Sequence, residues 1–413
     1  MKKIVVVGAG PAGLMASATA AEQGARVKLI EKMPVPGKKL SITGKGRCNL
    51  TTSVESDELI KGFPGNGRFL HSTFHTFSNI ELIEFFRRRG LQIKVERGSR
   101  VFPESDKAED VVKVLSANAR KAGVEMLFSS RAASLITEDS KLIGIKTENG
   151  DFRVDSIIIA TGGMSYPGTG STGDGYNWAE QLGHRVITPR PGLVPLVVSE
   201  NWVKELQGLS LKNVKAMAYT EKGKPINEDF GELMFTHFGL SGPIILSMSH
   251  DIGDYLYKKR QPVTIKLDLK PALKEEKLDE RIQRDFSKYS RKMFKNTLND
   301  LLPQKMIPVI INLSGIEAEK VCHQVTREER FELVGLLKNF TMTVSETRPI
   351  AESIVTAGGV NVKEVNPKTM ESRIVKGVYF AGEILDVHGY TGGYNLQAAF
   401  STGYVAGTYA ALE

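Results

Sequence analysis

The most constraining feature of this chain is its first thirty residues. The run KIVVV at 3–7 is apolar and mostly β-branched, and Gly8-Ala9-Gly10-Pro11-Ala12-Gly13 follows it directly. Such a run, ended by a turn, reads as a buried parallel strand. The glycines fall in GxGxxG spacing. The first permits a tight turn, the second lets the backbone approach a pyrophosphate, and the third lets helix and strand pack closely. Residues 13–23 are rich in alanine and read as a helix. Residues 27–30 read as a second strand, closed by Glu31 and Lys32. Strand, turn, helix and strand make a βαβ unit. Its helix N-terminus offers free N–H groups and a partial positive charge to phosphates. Glu31 lies 23 residues after Gly8, near the spacing of about 20 expected for an acid that holds ribose hydroxyls. Its charge disfavours a 2′-phosphate, so the nucleotide is FAD or NAD rather than NADP.

Two later segments select FAD. A buried strand at 157–160 runs into a second glycine turn, Ala160-Thr161-Gly162-Gly163. Near the C-terminus a strand ends at Gly382-Glu383, and Asp386 stands just past it, where an acid suits a ribityl chain. Gly392-Gly393-Tyr394-Asn395-Leu396 then opens a closing helix at 393–410. Backbone N–H groups at that start suit the N1 and C2-carbonyl edge of a flavin and stabilise the anionic reduced ring. A plain NAD dehydrogenase has no need of this returning segment, whereas a large flavin does.

The expected architecture is α/β: a Rossmann-like FAD-binding domain with an inserted β-rich domain that carries a helical subdomain. The FAD-binding domain takes 1–190 plus 344–413, and the insert takes 191–343, with its helical part at about 272–337. Within the first domain, helices are expected at 78–89 and 108–122, strands near 124–128, 132–138, 142–147 and 152–154, and loop over 34–68. In the insert, strands are expected at 193–198, 214–219, 231–235 and 263–267, and helices at 272–299, 303–311, 314–320 and 326–337. Two cysteines, Cys48 and Cys322, make neither a disulfide framework nor a structural zinc site and fit a reducing compartment. No stretch of about 20 apolar residues is present to span a membrane, and the apolar run at the start is too short for a secretory signal. The expected location is the cytoplasm.

The loop Thr43-Gly44-Lys45-Gly46-Arg47-Cys48-Asn49 sets polar and cationic side chains among glycines, as suits a loop against an anionic cofactor. Arg47 is a candidate for bidentate phosphate contact or for stabilising reduced flavin. Cys48, beside Lys45 and Arg47, is a candidate proton donor with a lowered pKa; the alternative is a small packing residue beside the flavin. His388 and Tyr390 lie next to the flavin motif, and His388 is a further catalytic candidate. His237, in the insert, is more often structural than functional. His71 and His75 lack a third ligand, so no metal is expected. Lysine and arginine total 55 against 47 acids, a net charge of +8. Lys274, Lys277, Arg281, Arg284, Lys288, Arg291, Lys292 and Lys295 recur every three or four residues. That face suits an RNA backbone or, diluted by acids, a solvated helix with i,i+4 pairs.

These strings together resemble the BaiN/YhiN-like family of FAD-dependent oxidoreductases. The matching pieces are VVVGAGPAGLMAS, SITGKGRCNLT at 41–51, ATGGMSYPGTGSTGDGY at 160–176, TAGGV at 356–360 and FAGEILDVHGYTGGYNLQAAFSTG at 380–403. The resemblance implies FAD held by the outer segments. Gly8, Gly10, Gly13 and Glu31 would take the ADP half. Lys39, Gly46, Arg47, Cys48 and Asn49 would lie along the pyrophosphate and flavin. Gly162 would line the nucleotide, and Asp386, Gly393, Asn395 and Leu396 would close on the ribityl chain and ring. It also implies reduction of a carbon–carbon double bond, with NAD(P)H as a transient electron donor. The substrate is either a uridine in large-subunit ribosomal RNA, reduced to dihydrouridine, or an unsaturated small molecule. A reading of another class is a flavin-containing RNA- or ribosome-binding protein without turnover. The oligomeric state is left open.

Overall fold

The structure is a computed structural model and describes residues 1–148 and 150–412. It divides into two compact units, Met1–Gly192 with Ile350–Glu413, and Leu193–Pro349.

The first unit is built on a five-stranded parallel sheet. In spatial order its strands are Val378–Phe380, Ser156–Ile159, Lys3–Val7, Arg26–Ile30 and Glu125–Leu127. The central strands read as continuous apolar runs because both sheet faces are covered. Ile157, Ile158 and Ile159 are each fully buried, and each contributes about 1.5–3 kcal/mol of apolar burial. The glycine turn is pinned on both sides. Gly8 N–H donates to the Ile30 carbonyl at 2.8 Å, and Ala160 N–H donates to the Val7 carbonyl at 2.9 Å.

Helix Pro11–Glu22 starts with proline at its first turn, where no N–H is missed. Its residues Ala12 to Ala20 are buried almost without a break, because the closing helix Tyr394–Leu412 lies against it. Small residues permit that approach. A Cβ on Gly403 would collide with the Ala12 backbone, and one on Gly407 with the Ala16 backbone. Three smaller sheets complete the unit. One joins Thr51–Thr52, Arg100–Pro103 and Ile93–Glu96. Another is the meander Ala132–Glu138, Lys141–Thr147 and Gly150–Arg153. The third is the ribbon of Val186–Gly192 and Val355–Val360.

The second unit is a closed six-stranded antiparallel barrel. Its strands run Leu196–Val198, Gly239–Ser241, Pro225–Phe235, Ser210–Thr220, Val263–Asp268 and Phe340–Thr347, and the last pairs with the first. The helices of this unit are Pro243–Lys259, Glu275–Lys288, Ile307–Ser314 and Arg327–Lys338.

The fold class is as the sequence indicates, with local corrections. The charged helix stops at Lys288 instead of running to 299. Beyond it, Phe294 N–H bonds the Lys320 carbonyl, and Met293 bridges Val321, which pulls the backbone out of helical geometry. No helix covers 314–320, because Gly315 adopts φ +69° and ends the preceding helix. The stretch 34–68 is not plain loop: it holds 3₁₀ turns over Leu40–Gly46, Ile60–Gly62 and, at its end, Gly67–Leu70. Helix Pro243–Lys259 and the barrel-closing strand Phe340–Thr347 are not anticipated by the sequence reading. No described helix is long and apolar enough to cross a membrane.

Candidate active site

The site grows from the carboxyl ends of the parallel strands, where open α/β sheets bind their ligands. The glycine turn sorts its three glycines by neighbour. A Cβ on Gly8 would strike the Ala160 carbonyl, and one on Gly13 would strike the Gly8 carbonyl. A Cβ on Gly10 would meet no protein atom within 4 Å. Gly8 and Gly13 are therefore required by the fold, and Gly10 is not. No side chain caps the helix that Gly10 opens, which leaves its first N–H groups without a side-chain partner.

Glu31 sits against this turn. One carboxylate oxygen accepts Ala9 N–H at 2.7 Å and the other accepts Met33 N–H at 2.8 Å. Each oxygen keeps a lone pair for a hydroxyl. Lys32 turns away to Asp174 at 2.9 Å and to Thr172 Oγ1 at 2.5 Å. Asp174, Arg131, Ala132 and Trp178 line a cleft of about 330 Å³ beside it. Ser130 N–H donates to the Glu31 carbonyl, which sets that cleft next to the acid.

A second cluster joins segments far apart in sequence. Lys39 Nζ pairs with Glu383 Oε2 at 2.7 Å and donates to Ser165 Oγ at 2.5 Å. The other Glu383 oxygen accepts Thr356 N–H at 2.7 Å and Ser165 Oγ–H at 3.1 Å. Thr356 Oγ1 accepts Met164 N–H at 2.8 Å, and a Cβ on Gly163 would collide with that hydroxyl. Gly162 adopts φ +73°, and Thr161 Oγ1 is buried without a hydrogen-bond partner. The Tyr176 hydroxyl is held strongly protonated by burial, with Glu383 and Asp386 adding to the effect. Gly382, at φ +79°, faces Ala12.

Asp386 follows on the same loop. Its carboxylate accepts Asn66 Nδ2–H at 2.9 Å, and Asn66 also donates to the Asp386 carbonyl at 2.8 Å. Burial raises the acid's pKa, opposed by the Asn66 hydrogen bond and the Arg190 charge. His388 is buried beyond it. Gly392 and Gly393 adopt φ +121° and +99°, and a Cβ on Gly393 would collide with the Thr51 backbone. Tyr394 packs edge-on against Phe63 at 5.8 Å between ring centres. Leu396, on the first turn of the closing helix, packs against the core of the unit.

Four of the expected site residues are engaged or enclosed by the protein itself. Arg47 is not free for an anion. It binds Asp106 through Nε at 2.8 Å, also binds Glu96, and stacks on Phe102 at 4.2 Å. It anchors its loop to the sheet below. Cys48 does not have a lowered pKa. Complete burial pushes its thiol up to about 12, against a smaller opposing effect of the Thr43 hydrogen bond. The Asn395 amide is hydrogen-bonded within the chain. It accepts Gly389 N–H at 2.7 Å and donates to the Gly389 carbonyl at 2.9 Å, clasping the preceding turn. Asn49 likewise accepts Val101 N–H at 3.2 Å.

The loop itself is wound left-handed. Gly44, Lys45, Gly46 and Cys48 all have positive φ, from +57° to +83°. The sequence reading missed Asn66, Ser165, Tyr176 and Thr356. Three of them lie inside quoted motif strings, but the Lys39–Glu383–Ser165–Thr356 pairing has no local sequence signal.

Four of the eight cations from Lys274 to Lys295 form ion pairs. Lys277 pairs with Glu280, Arg281 with Asp285, Lys288 with Asp300, and Lys295 with Glu319. His237 is exposed on a turn of the barrel unit. Among the described residues no acid, histidine or cysteine cluster could hold a metal ion.

An uncrowded Gly10 and an acid with spare lone pairs fit an FAD. Fold and site together define an FAD-dependent oxidoreductase. The chain belongs to the HI0933-like family, whose Rossmann-domain profile matches residues 2–409, in keeping with the BaiN/YhiN resemblance. It is 31% identical to the 3-dehydro-bile acid delta(4,6)-reductase of Clostridium scindens, over 100% of this chain and 99% of that one. It is equally 31% identical to the ribosomal RNA dihydrouridine synthases of Haemophilus influenzae and Escherichia coli, over 97% of this chain and 96% of each of theirs. The fold resembles that of 3-ketosteroid delta1-dehydrogenase from Sterolibacterium denitrificans, with a TM-score of 0.55, 13% identity and full coverage of both chains.

Proposed function

We propose that this protein reduces a carbon–carbon double bond, taking electrons from NAD(P)H that binds transiently at the flavin face. The observation that carries this reading is the end-to-end similarity to relatives of two substrate classes. A bile acid delta(4,6)-reductase saturates an alkene, and dihydrouridine is uridine with its ring double bond reduced.

Bound FAD supplies hydride transfer. Gly10, Ala12 and Gly13 would present N–H groups of the turn and helix to the pyrophosphate, with Gly8 and Pro11 shaping the turn, and Glu31 would take ribose hydroxyls. The cleft beside Lys32 and Arg131 receives the adenine. Lys39 and Glu383 hold the ribityl and phosphate side, with Ala160, Thr161, Gly162 and Gly163 as the facing wall. Gly392, Gly393, Tyr394, Asn395 and Leu396 set the N–H groups of the closing helix at the ring edge. Cys48 packs in the core beside the loop, its thiol held protonated by complete burial. His388 stays a catalytic candidate, and Asp386, its pKa raised by burial, is a second. Arg47 acts by anchoring the loop.

The substrate we favour is a uridine of large-subunit ribosomal RNA, in the cytoplasm, consistent with the net charge of +8. Acids interleaved along the helix Glu275–Lys288 dilute its charge as an RNA grip. An unsaturated small molecule is the second reading, supported by the bile acid reductase similarity. Deleting the gene and mapping dihydrouridine in ribosomal RNA separates them. Loss of one dihydrouridine, restored by the wild-type gene, supports the RNA substrate. An unchanged map removes it and leaves the small molecule, to be sought by reoxidation of the NAD(P)H-reduced protein with conjugated enones. A flavin that NAD(P)H does not bleach would favour a binding protein without turnover.

A further inference from the structure

The loop ending at Thr51 and the closing helix come from opposite ends of the chain, and a buried hydrogen-bond chain joins them. Thr51 Oγ1 donates to Gln397 Oε1 at 2.6 Å. Gln397 Nε2 donates to Ser401 Oγ at 2.8 Å and reaches the Phe77 carbonyl at 3.5 Å. Ser401 Oγ–H donates to the same carbonyl at 2.7 Å. Thr51, Gln397 and Ser401 are all fully buried. Beside this chain, Gly393 lies flat on the Thr51 backbone.

A buried glutamine is not needed for stability alone. Replacing both members of a buried polar pair with apolar groups of the same shape is often nearly neutral. What a fully satisfied network adds is one defined arrangement. Here the arrangement is the register of the closing helix against the strand Thr51–Thr52. Apolar packing tolerates small slides, and a displacement of about 1 Å at a functional site is costly.

We propose that Gln397 and Thr51 are positioning residues for the flavin: their hydrogen bond locks the first turn of the closing helix, and with it the N–H groups at 392–396, against the ring edge. This rests on the flavin placement given under Proposed function. It assigns a role to two side chains that touch no ligand and act through the helix.

The test measures FAD affinity and the two-electron midpoint potential of the full-length protein, freed of FAD and reconstituted. Thr51→Val removes the donor, and Thr51→Ser restores it. Thr51→Val should bind FAD about tenfold more weakly. It should also stabilise reduced flavin about tenfold less, a midpoint about 30 mV more negative for a two-electron couple. Thr51→Ser should match wild type. The double variant Thr51→Val with Gln397→Met leaves no polar group orphaned. It should recover apoprotein melting temperature but not the potential, which a purely structural role would not produce. Should Thr51→Val fail to fold, Ser401→Ala leaves Gln397 the Phe77 carbonyl and should show a smaller shift of the same sign. Wild-type affinity and potential in the folded variants overturn the inference alone. A wild-type chain that takes up no FAD overturns the flavin reading and this inference with it.

Discussion

Replacing Gly10 with alanine should separate folding from cofactor binding. Gly10 is the N-cap of the first helix, at φ −76° and ψ −176°, an extended conformation open to any residue. Its added Cβ meets no protein atom within 4 Å. Alanine is a worse N-cap than glycine by a few tenths to about 1 kcal/mol. Losing glycine's freedom in the unfolded chain offsets about 0.4–1 kcal/mol of that. The net change in the apoprotein is within about 0.5 kcal/mol, or about 1–2 °C in Tm for a chain of this size. The FAD side is different. A methyl group projecting about 1.5 Å from the backbone holds the pyrophosphate off the turn. Losing two charge-assisted hydrogen bonds at about 1.5–3 kcal/mol each weakens binding about 10²- to 10⁴-fold. Purified Gly10→Ala should be nearly colourless yet melt like the wild-type apoprotein, and Gly10→Val should retain no FAD. Gly13→Ala, whose Cβ strikes the Gly8 carbonyl, should lose both stability and FAD. Wild-type FAD content in Gly10→Ala would refute the pyrophosphate placement. A drop of several degrees in its apoprotein Tm would refute the open face of the turn.

Three further outcomes follow from the same structure. Cys48→Ala should keep turnover within about threefold of wild type, since the thiol is fully buried in the core; a loss of 10²-fold or more with FAD content intact would restore the proton-donor role. Burial lowers the His184 pKa below 6.5, opposed by Glu364 at 3.4 Å, while Ser372 bonds its Nε2 at 2.7 Å. The folded state thus resists protonation that the unfolded chain accepts. This stability contribution is complete above about pH 6.5 and is lost as pH falls toward the folded value, by at most about 1.4 kcal/mol per pH unit for one proton. His184→Gln should flatten the wild-type fall in Tm between pH 7 and 5, and an unchanged slope would exclude His184 as its source. Gly407→Leu forces a side chain into the Ala16 backbone and should cost at least about 1–3 kcal/mol by apoprotein denaturation; an unchanged unfolding midpoint would mean the two helices are not in close contact.

The sequence by itself determined the βαβ start, because strand, glycine turn, helix and acid are local features with fixed spacing. It also determined the parallel sheet, through apolar runs such as Ile157 to Ile159, and the flavin class, through the returning segment from Gly382 to Leu396. It did not determine which side chains meet. Arg47 reads as an anion ligand because its neighbours in sequence are glycines and lysines, but the fold brings Glu96 and Asp106 to it from 49 and 59 residues away. Cys48 reads as an activated thiol for the same reason, and burial reverses the direction of its shift. Lys39 meets Glu383 across 344 residues and Thr51 meets Gln397 across 346, separations no local pattern encodes. In the second unit, Phe340–Thr347 closes the barrel by pairing with Leu196–Val198, which depends on chain closure and not on periodicity. Backbone form follows from short-range sterics and hydrophobic period, so the sequence carries it. Charge state and hydrogen-bond partnership depend on what the tertiary fold places within about 3 Å, and here the tertiary structure decided them.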